Sequence, residues 1–300
     1  MKRLLVLAAL SLTLTIHAAP VRVLVWDEQN KAQRPTYPNY IASQIASYLK
    51  TPPNLSVTSA GLGDTNFGLS DDLLTNCDVL VYWSHVRNKL VPTQKAQEIV
   101  QRVKEGKLEL IVLHSGLTSK VFIEAMNERT REDAAKTIPA GTKTEFIYPL
   151  AYKDPLKTDP ITPRIVMTNA ADGSPLALVY YPICEITAWR ETGEPVTIQT
   201  LLPDHPIAQG VPAQFKIPHT EVYSEPFHVP KPDEVIFQEV STNNEIFRAG
   251  MIWKVGQGTV FYFSPGHETF PIYYQPAPLK VIGNAVEWLG SQKQAADAGR

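Results

Sequence analysis

Apolar residues along this chain follow two alternating rhythms. VRVLVW (21–26), DVLVYW (78–83) and LELIVL (108–113) are nearly continuous apolar runs of strand length, the pattern of strands covered on both faces. Between them the spacing becomes helical. Pro38 opens a segment with Tyr40, Ile41, Ile45, Tyr48 and Leu49 on one side, and Ala96, Ile99, Val100 and Val103 recur ahead of a stop at Gly106. A further helix is expected after Gly116, running to about Asn127. Strand and helix alternating at this spacing predict right-handed βαβ units and a parallel sheet.

The pattern breaks over 128–182, where charge, Thr, Pro and Gly dominate and only short β-like pieces appear, at 145–150, 163–168 and 176–181. This stretch reads as a β-rich insertion into one domain spanning 20–290. Strand-like runs return at 196–201, 235–240, 246–253 and 258–263. A last helix at about 278–290 carries Leu279, Ile282, Val286 and Leu289 on one face, and 291–300 reads as a disordered tail.

The N-terminus changes the setting. Lys2 and Arg3 precede an uncharged apolar stretch from Leu4 to Ile16, and small residues follow at Ala18 and Ala19. That order predicts a signal peptide over 1–19 and export to the periplasm or medium, with no membrane partner once it is removed. A formal charge of −2 with 44% hydrophobic residues describes a globular chain without the basic footprint of a nucleic-acid partner. Cys77 and Cys184 sit beside apolar runs, so two buried thiols are favoured over a disulfide between them, which export would permit.

In open α/β sheets, ligands gather beyond the carboxyl ends of the strands. There the sequence places Trp26, Asp27 and Glu28; His85 and Arg87; His114; and His267 with Glu268. Three of the chain's seven histidines therefore fall on strand ends, where imidazole and carboxylate suit metal ligation or proton transfer. Alternatively, each caps a strand or helix end. A Pro-bounded loop adds His219, Glu221, Tyr223, Glu225 and His228, which could hold a cation or a sugar hydroxyl, or simply be solvated. Trp189, Arg190 and Glu191 close a strand that begins near Cys184: a stacking platform with hydroxyl partners, or a core Trp beside solvated charges. Other chemistries find no support. LHSGL around Ser115 lacks the glycines of a nucleophile elbow, and no H-E-x-x-H, Walker A or G-x-G-x-x-G pattern occurs.

WDE (26–28), YWSHVRN (82–88), LHSGLTSKVF (113–122), WRE (189–191), HPIAQGVP (205–212), EVYSEPF (221–227), EIFRAG (245–250) and GQGTVFYFSPGHETFPIYYQP (256–276) together resemble the ThuA-like family, named from trehalose utilisation. The resemblance spans the chain beyond the leader except for 128–182. It implies a class I glutamine amidotransferase-like fold: a flavodoxin-like parallel sheet with helices on both faces. It also implies that the amidotransferase cysteine is absent, His114 following the strand where that elbow would lie. The family is associated with catabolism of trehalose and related disaccharides, beside NAD-dependent oxidoreductases that form 3-keto sugars.

The resulting expectation is an exported enzyme acting on a small-molecule carbohydrate. His114, His267, His85, Glu221 and Glu225 would be the proton-transfer set, and a divalent metal (Zn or Mn) would sit on His114, His267 and Glu221. Trp26, Asp27, Glu28, Arg87, Trp189, Arg190, Glu191 and Glu268 would contact the sugar. The alternative is a non-catalytic carbohydrate-binding protein on an enzyme-like scaffold. Homo-oligomerisation stays open.

Overall fold

A computed structural model describes residues 19–149 and 158–299; the expected leader falls almost entirely outside them. The first half alternates as the apolar rhythm predicts: β1 (Val21–Asp27), α1 (Tyr40–Leu49), β2 (Leu55–Gly61), α2 (Asp71–Thr75), β3 (Val79–Trp83), α3 (Thr93–Lys104), β4 (Glu109–Leu113) and α4 (Lys120–Thr137). Then come β5 (Lys143–Ile147), β6 (Arg164–Asn169), β7 (Pro175–Tyr180), β8 (Ile186–Arg190), β9 (Val196–Thr200), β10 (Gln214–Ile217), β11 (Val222–Phe227), β12 (Glu234–Ser241), β13 (Ile246–Val255), β14 (Gly258–Phe263) and α5 (Pro276–Ala298). None of the described helices is long and apolar enough to cross a membrane.

Among the described residues the main sheet has nine strands in the order β10-β9-β12-β13-β14-β4-β3-β1-β2. From β14 to β2 every pairing is parallel. From β14 outward to β10 every pairing is antiparallel. The expected parallel sheet is therefore the half that carries the βαβ units, and the chain doubles its width with hairpins. The β13–β14 connection shows why. Only Gly256 and Gln257 join the two strands, with Gly256 at φ +58, and a loop that short can connect only antiparallel neighbours.

Alternating side chains of the central strands feed two cores. Val23, Val25, Val81 and Phe261 meet α1 and α5 on one face, while Leu24, Leu80, Leu110 and Val112 meet α3 and α4 on the other. Each fully buried Val, Leu or Ile contributes about 1.5–3 kcal/mol, so the runs that mark the strands also hold the layers together. Helix α5 crosses β1 closely: a Cβ at Gly290 would lie 2.4 Å from Val21 Cγ1.

Several boundaries differ from the expectation. β2 was not anticipated, because LSVTSAG is half exposed and lacks an apolar run. The stretch read as a disordered tail continues α5 to Ala298, where alanines favour helix and the Lys293 stem is buried. The insertion begins later than residue 128, since α4 runs on to Thr137, and its strands form a separate sheet in the order β5-β7-β6. Cys77 and Cys184 are separate buried thiols.

The extra turns of α4 are pinned by Arg129. Its guanidinium donates to Asp133 on its own helix at 2.9 Å, and to Asp233 at 2.7 Å and the Lys254 carbonyl at 3.1 Å beside β13. The Arg129 hydrogen bond holds Asp233 below its ordinary carboxylate range against partial burial. Arg129→Ala should cost about 1–2 kcal/mol at neutral pH, towards the lower end because Asp233 is partly exposed. Because the folded Asp233 pKa is lowered, that stabilisation is present above the unfolded carboxylate value and lost as pH falls through the folded one. Urea unfolding at neutral and strongly acidic pH should show the difference from the parent shrinking in acid. A constant difference would show that packing of the Arg129 stem dominates.

Candidate functional site

The site follows from strand register. Trp83, Leu113 and Phe263 are paired across β3, β4 and β14, so the three strands end level with one another. The residues just beyond are His85, His114 and His267. Their ring centroids are 5.4 Å (His85–His114), 4.9 Å (His85–His267) and 5.4 Å (His114–His267) apart. Glu221, immediately before β11, closes the group. One nitrogen from each ring and one Glu221 oxygen all lie within 4.8 Å of one another.

His114 is the most constrained member. It sits at φ +54, in the left-handed region that non-glycine residues rarely adopt, at a sharp strand-to-helix turn. Gly116 makes that turn fit, because a Cβ there would fall 2.8 Å from Val112 Cγ1. The ring stacks between Trp83 (6.3 Å, 15°) and Tyr223 (5.5 Å, 14°). Ser119 caps α4 by accepting from Phe122 N–H at 3.2 Å.

Each imidazole has one nitrogen tied down. His85 Nδ1 donates to Glu268 Oε2 at 2.7 Å. His114 Nδ1 donates to the Ser264 carbonyl at 3.2 Å, and Tyr223 Oη lies 3.1 Å away. His267 Nδ1 accepts from the Thr269 N–H at 3.3 Å and contacts the Thr269 hydroxyl at 2.9 Å. Such outer partners fix ring orientation in metal sites and leave the other nitrogen free to ligate.

Burial sets the charges. It pushes His114 well below its ordinary value, reinforced by His85 and His267. It also lowers His267, against the pull of Glu268. For His85, burial is outweighed by the Glu268 hydrogen bond and charge, and its pKa rises. Burial pushes Glu221 up to about 7. Neutral His114 with its proton on Nδ1 presents a lone pair at Nε2, and Glu221 Oε2 lies 3.3 Å from it. That oxygen, like His267 Nε2, is buried without a hydrogen-bond partner. Two buried acceptors face to face are unfavourable unless a proton or a cation lies between them. Three imidazoles and a carboxylate match the donor set of a zinc-type site, whose ligands at roughly 2.0–2.2 Å require only modest contraction.

Other expected contacts divide. Glu28 holds the site but does not face it: its Oε2 accepts from Ser84 Oγ at 3.0 Å and from the His85 and Arg87 N–H groups at 2.8 Å each. Asp27 is buried at the head of α1, accepting from Ala42 N–H and Gln29 N–H at 2.6 Å each. Trp26 is core, stacked on Tyr82 at 4.3 Å with its N–H on the Phe67 carbonyl. Glu225 is taken by Arg248 at 2.6 Å, away from the cluster. Arg190 pairs with Glu194 and Glu245 instead of facing a ligand. Glu191 does reach the cluster, 3.4 Å from His267 Nε2, and is half exposed.

A cleft of about 440 Å³ opens over the cluster, lined by His85, Arg87, Ser115, Trp189, Glu221 and Tyr223 among others. Trp189 is 46% exposed on that wall and is not a core residue. His85 joins the metal set expected from His114, His267 and Glu221, and Tyr223, expected only as a member of the Pro-bounded loop group, touches the cluster directly. Tyr223 Oη contacts Ser115 Oγ at 2.6 Å as well as His114.

Comparison with known proteins agrees with this architecture. Two solved ThuA-like proteins share the fold. The one from Parabacteroides merdae has 11% identity and a TM-score of 0.58, with 91% of this chain and 90% of that one covered. The one from Bacteroides uniformis has 13% identity and a TM-score of 0.51, with 91% and 93% covered. No curated protein matches the sequence. The ThuA family model, described as trehalose utilisation, matches residues 22–289. Matched by that model over nearly its whole length, the chain belongs to the ThuA family.

Proposed function

We propose that this protein is an exported, carbohydrate-active enzyme that transfers a proton on a keto-sugar, or on a glycoside or disaccharide that carries a keto group, assisted by a divalent cation, Zn or Mn. The carrying observation is the close approach of His114 Nε2 and Glu221 Oε2 within a ring of oriented imidazoles. His85, His114 and His267 would hold the cation, which when bound supplies a Lewis acid for a sugar carbonyl oxygen. Three protein nitrogens leave a coordination position for substrate, as in catalytic zinc sites.

Glu221 belongs to both the cluster and the cleft wall, whereas His114 and His267 do not line the cleft. It is therefore placed to take the proton from carbon beside that carbonyl. Ser115 and Arg87 line the same cleft and can meet sugar hydroxyls, with Trp189 beneath a ring. Glu268 positions His85 without facing the substrate.

Two measurements test this reading. Purified protein should carry or take up close to one equivalent of Zn²⁺ or Mn²⁺ by elemental analysis and calorimetric titration. His114→Ala and His267→Ala should abolish uptake, and Glu268→Gln should weaken it by about 10–100-fold. Uptake unchanged in both His variants would sink the site assignment. Turnover of oxidised disaccharides by the loaded protein then separates an enzyme from a binding protein. Export rests on Lys2, Arg3 and the Leu4–Ile16 stretch. N-terminal sequencing of protein from periplasm or medium should begin at Ala19 or nearby, whereas an intact Met1 on membrane-bound material would refute it.

A further inference from the structure

Two hydroxyls connect the cleft to Glu221. Ser115 stands directly after His114 and is partly exposed in the cleft wall. Tyr223 is 4% exposed, with its Oη 2.6 Å from Ser115 Oγ and 3.1 Å from His114 Nδ1. Glu221, immediately before β11, completes the chain. Burial pushes its carboxyl up to about 7, and a hydrogen bond from Tyr223 opposes that rise. Ser115, Tyr223 and Glu221 therefore lie in hydrogen-bonded sequence, with Ser115 and Glu221 both facing the same cleft.

The direction of each bond follows from what its partner is able to do. The Ser264 carbonyl only accepts, so His114 Nδ1 keeps its proton and presents it to Tyr223 Oη as well. The phenol thus accepts from His114 and has one proton of its own to give, with two takers, Glu221 and Ser115. While Glu221 is a carboxylate it accepts from Tyr223, and Ser115 donates to the phenol. Once Glu221 carries a proton it becomes the donor, Tyr223 turns to Ser115, and the Ser115 hydrogen is released into the cleft. Burial of Tyr223 keeps solvent from competing at the middle of the chain.

The geometry points to Ser115 as a further catalytic residue: it hands to a substrate oxygen the proton that Glu221 takes from carbon, with Tyr223 as the link. This rests on the reading of Glu221 as the base and adds the acid that completes it. The carbon–hydrogen bond beside the carbonyl breaks, its electron pair forms the carbon–carbon double bond, and the carbonyl π pair moves to oxygen. The proton joins Glu221. One proton then shifts from Glu221 to Tyr223, one from Tyr223 to Ser115, and one from Ser115 to the enolate oxygen. Ketone becomes enol, each side chain regains its starting charge, and no oxidant, reductant or solvent proton is consumed. A sugar carbon beside the carbonyl bears its own hydroxyl, so the product is an enediol. Reversal of the step through that second hydroxyl moves the carbonyl by one carbon. The substrate class is accordingly a keto-sugar with a free hydroxyl next to its carbonyl, and the reaction an isomerisation.

The test is exchange of carbon-bound hydrogen, followed by proton NMR in deuterium oxide, with the Zn²⁺-loaded protein and methyl β-D-ribo-hexopyranosid-3-ulose. This keto-sugar has a hydroxyl on both carbons beside its carbonyl. Ser115→Ala and Tyr223→Phe should each slow exchange at saturation by about 100-fold, with half-saturation unchanged. Unchanged Zn²⁺ uptake reports that each variant is folded. Cutting one chain twice costs no more than cutting it once, so the double variant should match the single ones. Losses that multiply in the double variant, or exchange in either single variant within about threefold of the parent, would overturn the inference alone, provided Glu221→Gln abolishes exchange. Exchange unaffected by Glu221→Gln, or absent from the Zn²⁺-loaded parent, would instead overturn the reading of the cluster on which the inference rests.

Discussion

The level ending of β3, β4 and β14 is the constraint on which the rest of this structure depends. Parallel pairing of Trp83 with Leu113, and of Leu113 with Phe263, brings three imidazoles from widely separated parts of the chain to one point. A one-residue slip in either pairing would turn each side chain of a strand to the opposite face and scatter the set. Register is strongly specified because both faces are packed: Val81 and Phe261 meet one core, and Leu80 and Leu110 the other. The hydrophobic layers thus do more than stabilise the sheet, since they fix the geometry of a polar cluster that could not assemble by its own attraction.

Around that point the polar groups work in tiers. Glu268, the Ser264 carbonyl and Thr269 each hold one ring nitrogen. Behind them Glu28 gathers the loop that carries His85, and the Trp83 N–H donates to the Gly266 carbonyl at 2.8 Å, tying the end of β3 to the loop that carries His267. Burial then raises the cost of leaving any inner group unpaired. An acceptor facing an acceptor at the centre of so oriented an arrangement calls for a proton or a cation between them.

Much of this was legible in the sequence, and the remainder failed for identifiable reasons. β1, β3, β4 and β14 declare themselves because strands covered on both faces need continuous apolar runs. The edge strand β2 does not, since Ser56, Thr58 and Ser59 leave it with little more than Val57 and Leu55 to signal burial. β11 was hidden by Pro226 within it. The three histidines were found from their places after strands, but Trp26, Asp27 and Glu28 occupy the same kind of place and serve the scaffold. Position along a strand tells where a side chain starts; whether it turns towards the cleft, a helix head or the core depends on partners such as Ala42 and Tyr82 that pattern alone does not identify. Likewise Arg190 and Glu225 look like ligand contacts until Glu194, Glu245 and Arg248 are seen to occupy them.

Among the described residues the insertion sheet β5-β7-β6 shares no strand pairing with the main sheet. Its ladder bonds run between its own strands, so replacements there need not propagate into the register that aligns the histidines. Change in the insertion and preservation of the cluster are in this sense separable. Lineages could exchange one insertion for another while the level strand ends stayed as they are.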